Sequence, residues 1–333
     1  MVRIGVIGYG YWGGNIVRNF NSIEGGKVVS ICDVNREAVR KAAKLFPGAE
    51  VTSDCREVAT SPNVDAVAVV TPVSTHFELA KLALLNDKHI FVEKPFTANV
   101  RQAEELLELA DRKGLLIMVD HTFLFTGAVR KIKQFIETDV LGKLYYFDSI
   151  RVNLGLFQHD VNVLWDLAPH DLAIMDYLID AKATAVVATG ESHVNSLEDV
   201  AYATVYFSDK MIAHLNVNWL SPVKLRTTLI GGDKKMLVWN DLDADEKIRI
   251  YDKGVEVKNR EGIYDLLVSY RSGDMWVPRV EQAEALKLES QYFVDCIEHN
   301  TSPVNDGLAG LRVVKMLEAA DKSLKKKGEM VYL

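Results

Sequence analysis

The chain has 333 residues, 48% hydrophobic and 26% charged, with a formal net charge of −7. That length is too great for one simple core and suits two domains, while the negative charge suggests no nucleic-acid partner and no run of about 18 apolar residues is present to span a membrane. Cys32, Cys55 and Cys296 are odd in number and far apart, with no C-x-x-C and no H-E-x-x-H, so neither a disulfide framework nor a metal site is expected, and a reducing cytoplasm fits.

The first apolar run, Val2 to Ile7, begins too close to Met1 to leave room for a signal peptide. It leads into Gly8-Tyr9-Gly10-Tyr11-Trp12-Gly13, a G-x-G-x-x-G. A helix-compatible stretch follows, then a second apolar run, Lys27 to Cys32, which stops at Asp33. Strand, glycine turn, helix, strand and acid in that order form the dinucleotide-binding pattern. Gly8 permits a turn barred to residues with a Cβ, Gly10 lets the backbone approach a pyrophosphate, and Gly13 lets the helix pack closely on the strand. The amides and dipole of that helix attract phosphates. Asp33, 20 residues past Gly13, is placed to accept both ribose hydroxyls and to repel a 2′-phosphate, which favours NAD over NADP. Arg36 pulls the other way.

Asn35 to Phe46 reads as a helix ended by Pro47-Gly48. Asp65 to Val70 is nearly all apolar, as a doubly covered parallel strand requires, and Thr71-Pro72 breaks it. Ser74 to Asn86 is helical, Lys88 to Val92 is a strand ending at Glu93-Lys94-Pro95, and Asn99 with Gln102 resembles a capping box for a helix to about Lys113. Leu115 to Val119 is another strand. Repeated βα units predict a parallel, doubly wound sheet over a domain spanning residues 1–122.

The pattern changes in residues 123–333, read as a second domain. Helices are expected near Gly127–Thr138 and from about Asp166 to Ile179. Strands are expected at Lys143–Val152, Ala185–Glu191, Val200–Ser208, Met211–Trp219, Leu225–Ile230, Met236–Trp239 and Ile248–Tyr251, joined by short turns into a mainly antiparallel open sheet. The alternation from Ala201 to Tyr206 leaves one face half exposed, which is either a subunit interface or a face covered by the chain's own helices. Two helices, Gln282–His299 and Gly307–Lys327, close the chain; Lys325-Lys326-Lys327 suits a helix C-terminus. The fold class is therefore α/β in two different sheets.

Two places carry candidate chemistry. Ligands of open α/β sheets lie beyond the carboxyl ends of the strands, where Thr71-Pro72 and Glu93-Lys94-Pro95 stand with the glycine turn. The Lys94 ammonium beside a hydroxyl oxygen stabilises a developing alkoxide and can pass on its proton. In Trp165-Asp166-Leu167-Ala168-Pro169-His170-Asp171, Asp166 and His170 share one helix face. Pro169 requires the helix to start near Asp166, which makes Asp166 either an N-cap or a functional acid. His170 near the positive dipole end is kept neutral, as a general base must be, or is a structural histidine.

With these motifs the chain resembles the glucose–fructose oxidoreductase/inositol dehydrogenase (Gfo/Idh/MocA) family over almost its whole length. The resemblance rests on the glycine turn, Thr71-Pro72 with His76, Glu93-Lys94-Pro95, and the D-x-x-x-H of Asp166 and His170. It implies a Rossmann domain and a second domain whose open sheet forms a homodimer or homotetramer. It implies that Lys94, Asp166 and His170 surround the reacting carbon of a sugar or cyclitol. His170 would be the general base, Lys94 would hold the reacting oxygen, and Asp166 would orient substrate or His170. Tyr11, Trp12, Thr71, Pro72, His76, Glu93 and Lys94 itself would join the glycines and Asp33 around the cofactor, and His121 and Trp165 would join the substrate site. Gly10 to Asn15, His121 to Phe125 and Trp165 to Asp171 resemble the subgroup that oxidises nucleotide sugars, often at C3, toward surface polysaccharides. Asp120 departs from it, standing where that subgroup usually has glycine; it would either repel an acidic substrate or point away. A cofactor-binding regulator without turnover, and a glycosidase using NAD transiently, are the alternatives on the same fold.

Overall fold

The structure is a computed structural model that describes residues 1–155, 157–257 and 268–333. The chain divides into two compact units, Met1–Phe125 with Ala283–Lys315, and Thr126–Gln282 with Met316–Leu333.

The first unit alternates strand and helix: β1 (Val2–Ile7), α1 (Gly13–Phe20), β2 (Gly26–Cys32), α2 (Arg36–Leu45), β3 (Glu50–Thr52), α3 (Cys55–Thr60), β4 (Ala66–Val69), α4 (Val73–Leu85), β5 (His89–Glu93), α5 (Val100–Lys113) and β6 (Ile117–Asp120). The six strands form a wholly parallel sheet in the order β3-β2-β1-β4-β5-β6. Every residue of β4 is buried, as its apolar run requires. Asn35, Asp54 and Asn99 accept hydrogen bonds from the amides of Glu37, Arg56 and Gln102, capping α2, α3 and α5. The Gln102 side chain accepts from the amide of Ala98, one residue beyond the N-cap amide that a reciprocal capping box uses. Gly114, at φ 64°, ends α5. β3 and α3 did not emerge from the sequence, because three and six residues are too few to display a period.

The second unit contains α6 (Gly127–Glu137), β7 (Leu144–Leu154), α7 (Val163–Leu178), β8 (Ala183–Glu191), β9 (Val200–Phe207), β10 (Ile212–Asn218), β11 (Leu220–Gly232), β12 (Met236–Asn240), β13 (Ile248–Val257) and β14 (Val268–Trp276); α8 (Ala285–His299), α9 (Gly307–Lys325) and β15 (Val331–Tyr332) complete the chain. Nine strands run in the order β14-β13-β12-β11-β7-β10-β9-β8-β15. Every described pairing is antiparallel except β7 with β10. On β9 and β10, Ala201, Ala203, Val205, Ala213, Leu215 and Val217 are buried, while Tyr202, Ile212 and His214 are exposed on the other face. The expected period of two is thus present.

Two boundaries differ from the sequence reading. The helix α7 begins at Val163, not near Asp166, because Asn162 is its N-cap and accepts from the Trp165 amide. Pro169 therefore lies inside the helix, where it cannot donate to the Trp165 carbonyl. The division at residue 122 keeps all later helices together, yet α8 belongs to the first unit. Phe293 of α8 meets Phe20 of α1 and Phe91 of β5 edge-on, with ring centroids 5.9 and 5.5 Å away, and all three side chains are fully buried. Edge-to-face rings add to the burial of three large apolar groups. A contact between residues so far apart leaves no trace in local periodicity.

Phe293→Ala is expected to destabilise the protein by about 3–5 kcal/mol in urea unfolding, the usual result of emptying an aromatic core position. A change within error would show that α8 is not integral to the first core.

Candidate active site

The strand order of the first unit reverses between β1 and β4, and the glycine turn leaves β1 at that switch point. Two of its glycines are demanded by the protein itself. Gly8 has φ +102° and a Cβ there would stand 2.1 Å from the Val70 carbonyl oxygen; a Cβ on Gly13 would stand 2.2 Å from the Gly8 carbonyl oxygen. Gly10 is different. Nothing lies within 4 Å of where its Cβ would be. Packing does not explain this glycine, but the close approach of a ligand to the backbone does. No side chain caps the start of α1, so the first-turn amides and the dipole face the same way, toward an anion. These features fit a dinucleotide pyrophosphate.

Asp33 follows β2 and reaches the turn: its Oδ2 accepts from the Tyr9 amide at 2.6 Å and its Oδ1 from the Asn35 amide at 2.7 Å. Beside it an open cavity of about 930 Å³ is lined by Gly10, Tyr11, Gly14, Asn15, Asn35 and Lys41, among others. Tyr11 is 95% exposed. Asn15, Asn35 and Lys41 did not emerge as lining residues from the sequence; their only signal there is proximity to the glycine turn and to the start of α2.

Further along the same edge, Thr71 follows β4, with Pro72 heading α4, and Glu93 ends β5. The Lys94–Pro95 peptide bond is cis. His76 of α4 is fully buried. Its Nε2 lies 2.7 Å from the Thr71 carbonyl oxygen and its Nδ1 2.9 Å from that of Pro95. Burial holds its pKa below the ordinary value, so the ring carries one N–H and donates to one of these two carbonyls, standing between the loop after β4 and the loop after β5. His121 follows β6, is buried, and neither ring nitrogen finds a hydrogen-bond partner among the described residues. Burial first, and then the Lys94 charge, lower its pKa from 6.5 to about 3, so the ring is neutral. Asp120 does not stand idle beside it. Its Oδ2 accepts from the Trp12 indole at 3.0 Å and its Oδ1 from the Thr122 hydroxyl.

In the second unit, α7 carries Trp165, Asp166 and His170. Trp165 is buried. Asp166 Oδ2 accepts from the indole of Trp219, just beyond β10, at 3.0 Å. The four-residue spacing sets Asp166 and His170 on one face of the observed helix. Asp171 is gripped by Arg151 of β7 through two 2.8 Å bonds, both side chains being buried. The pair fixes α7 against the sheet one residue from His170. Asp166 is not the cap that the sequence left open. Neither Trp219 nor Arg151 was visible as a partner, since an indole N–H and a strand arginine announce no contact across some fifty or twenty positions. Gly8, Gly10, Gly13, Asp33, Thr71, Glu93, Lys94 and His121 thus lie in the first unit, and Trp165, Asp166 and His170 in the second. Among the described residues no group of three or more His, Cys, Asp or Glu is arranged to hold a metal, and no helix is long and apolar enough to cross a membrane.

Comparison with known proteins agrees with this fold. Residues 2–121 match the family model described as oxidoreductase family, NAD-binding Rossmann fold, and residues 129–238 match the GFO/IDH/MocA C-terminal domain. The chain is 28% identical over 323 residues to UDP-N-acetylglucosamine 3-dehydrogenase of Acidithiobacillus ferrooxidans, covering 94% of each. It is 25% identical over 318 residues to scyllo-inositol 2-dehydrogenase (NAD(+)) of Bacillus subtilis, covering 91% of this chain and 88% of the other. A solved structure of the A. ferrooxidans 3-dehydrogenase has a TM-score of 0.82 at 23% identity, with 98% of both chains covered, and so shares the fold.

Gly10→Ala is expected to leave the thermal midpoint of the ligand-free protein unchanged while weakening NAD binding at least about tenfold, some 1.4 kcal/mol. Calorimetric titration with NAD checks it; undiminished affinity would mean that the open space above Gly10 is not where the pyrophosphate lies.

Proposed function

This chain belongs to the Gfo/Idh/MocA oxidoreductase family, and from that premise we propose that it oxidises a ring hydroxyl of a nucleotide sugar, at C3, with NAD as the cofactor. The broader class, an NAD-dependent dehydrogenase acting on CH–OH groups, follows from the family itself. The observation that carries the reading is the shared edge of the parallel sheet, where the open turn at Gly10 and the Lys94 ammonium both follow carboxyl ends of strands. The nucleotide-sugar substrate is supported by the relative at 28% identity that acts on UDP-N-acetylglucosamine. The polysaccharide-building role and cytoplasmic setting go with this reading.

NAD, when bound, supplies the acceptor for the hydride that leaves the ring carbon. The residues of the chain do the rest. His170 takes the hydroxyl proton as the C–H bond breaks. Lys94 donates a hydrogen bond to the reacting oxygen and stabilises its developing negative charge. Asp166, held by the Trp219 indole, orients His170 or a neighbouring sugar hydroxyl. His121, neutral and buried, and Trp165 contact the substrate. Thr71, Pro72 and Glu93 line the cofactor side, His76 supports them from between the two loops, and Tyr11 and Trp12 flank the pyrophosphate. The carboxylate of Asp33 selects ribose hydroxyls over a 2′-phosphate, which disfavours NADP.

The exposed face of the second unit's sheet supports self-association. Tyr202 and Ile212 stand on it, and Tyr202 stacks on His214 at 13° between ring planes. A homodimer or homotetramer covering this face is expected by light scattering, and Ile212→Asp should shift the mass toward that of one chain. A monomeric wild type would remove the proposal.

Lys94→Ala and His170→Ala are each expected to lower kcat by about 10²–10⁴, the usual worth of a positioned acid or base, with NAD affinity retained. Thermal-shift screening with NAD present, against UDP-sugars, free sugars and cyclitols, identifies the substrate class by mass action. Stabilisation by cyclitols alone would replace the nucleotide sugar with an inositol. Wild-type NAD reduction by both variants would remove the assigned roles.

A further inference from the structure

Beneath the glycine turn lies a pair of carboxyl groups that the redox chemistry does not use. Asp120 at the end of β6 is 2% exposed and Glu289 of α8 is 0% exposed. Asp120 is held by the Trp12 indole on one oxygen and the Thr122 hydroxyl on the other. Glu289 Oε1 accepts from Asn305 Nδ2 at 2.9 Å, and that amide also donates to the Val119 carbonyl at 2.7 Å. Glu289 Oε2 is sealed from solvent and meets no donor. The single hydroxyl proton of Thr122 is directed at Asp120, so it cannot serve Glu289 as well. Glu289 stands on α8, which packs against the turn of residues 122–125 directly after β6, and Asp120 is among the groups that act on it.

Two ionised carboxylates in contact and out of water repel strongly. One proton resolves the contact: Glu289 keeps it and donates to Asp120, while Asp120 stays ionised toward Trp12. Burial of Glu289, then the Asp120 charge, raises its pKa well above the usual value, and Glu93 at the end of β5 adds further like charge. On α1, which packs against α8, Arg18 is engaged with Glu284.

We infer that Asp120 and Glu289 form a one-proton carboxyl pair whose ionised member positions Trp12, and through it the glycine turn, for the dinucleotide. The inference rests on the reading that this turn holds NAD. Both acids are positioning residues. The sign of the pH effect follows. Loss of the shared proton places two charges in one buried site and drives Asp120 off Trp12, so NAD binding weakens as pH rises above the ordinary carboxyl range. Native Glu289 also keeps its proton where the unfolded chain has lost it, so the stability of the ligand-free protein falls as pH rises from about 4.5 toward the native pKa.

The test is calorimetric titration of the intact chain with NAD from about pH 5 to about pH 9, a series that starts above the ordinary carboxyl range. The wild-type Kd is expected to rise about tenfold across that range, the worth of one hydrogen bond to a charged group. Glu289→Gln donates to Asp120 at every pH, so it should bind as the wild type does at low pH and give a flat profile. Asp120→Asn removes the repulsion and should also be flat, with weaker binding at low pH because a neutral acceptor faces Trp12. Should Glu289→Gln fail to fold, the Asp120→Asn profile decides alone. A flat wild-type profile overturns the pair, as does an alkaline fall that persists in the variants. Absence of NAD binding at every pH overturns the cofactor reading and the pair with it.

Discussion

A wholly parallel sheet delivers every strand's carboxyl end to one edge, and the first unit depends on that constraint. Residues from β1, β2, β4, β5 and β6 reach that edge as the glycine turn, Asp33, Thr71, Glu93 with Lys94, and Asp120 with His121. Strands buried on both faces cannot flip register without exposing apolar side chains. The loops are then bound to one another above that fixed edge. His76 is wedged between the loops after β4 and β5 and bonds one of them, Asp33 joins the loop after β2 to the turn after β1, and Trp12 with Asp120 joins the turn to β6. Each of these bonds links elements that the sheet has already brought together, so each closes a small loop and loses little additional entropy.

The second unit meets a different problem, that of holding one helix still. Pro169 removes a backbone bond in the second turn of α7, and Asn162, Trp219 and Arg151 supply side-chain bonds around it. The Arg151–Asp171 pair is a weak argument for stability, because desolvating two charges offsets much of their attraction. It is a stronger argument for geometry. Once buried, the fork of the guanidinium accepts only one placement of the carboxylate, and Asp171 is adjacent to His170.

Legibility in the sequence followed range. The apolar run of β4, the alternation of β9 and β10 and the Asn99 cap are local patterns and were readable within a few positions. The glycine turn and Lys94 were readable because their chemistry depends on one short segment each. The return of α8 to the first core through Phe293, the Trp219–Asp166 bond and the Asp120–Glu289 contact join residues 53 or more positions apart. No period or spacing encodes such contacts. The start of α7 was misplaced for a local reason: the rule that proline belongs in the first turn outweighed Asn162, whose cap was the better signal. The strand β14 begins beyond the last run read as β, and β15 is only two residues long.

Asp120 shows how one departure from a pattern is accommodated. An added carboxylate at the edge where an anionic cofactor binds ought to weaken that binding by simple repulsion. The structure blunts the charge in two ways. Both oxygens of Asp120 are turned to donors, Trp12 and Thr122, and the neighbouring acid, Glu289, is driven to its neutral form. The pair therefore carries one charge where two were possible, and that charge is used to hold the indole at the head of α1. Replacing Asp120 with a smaller residue would relieve the repulsion but would leave the Trp12 N–H and the buried Glu289 each without its partner, and unpaired buried polar groups cost more than the hydrogen bonds they lose.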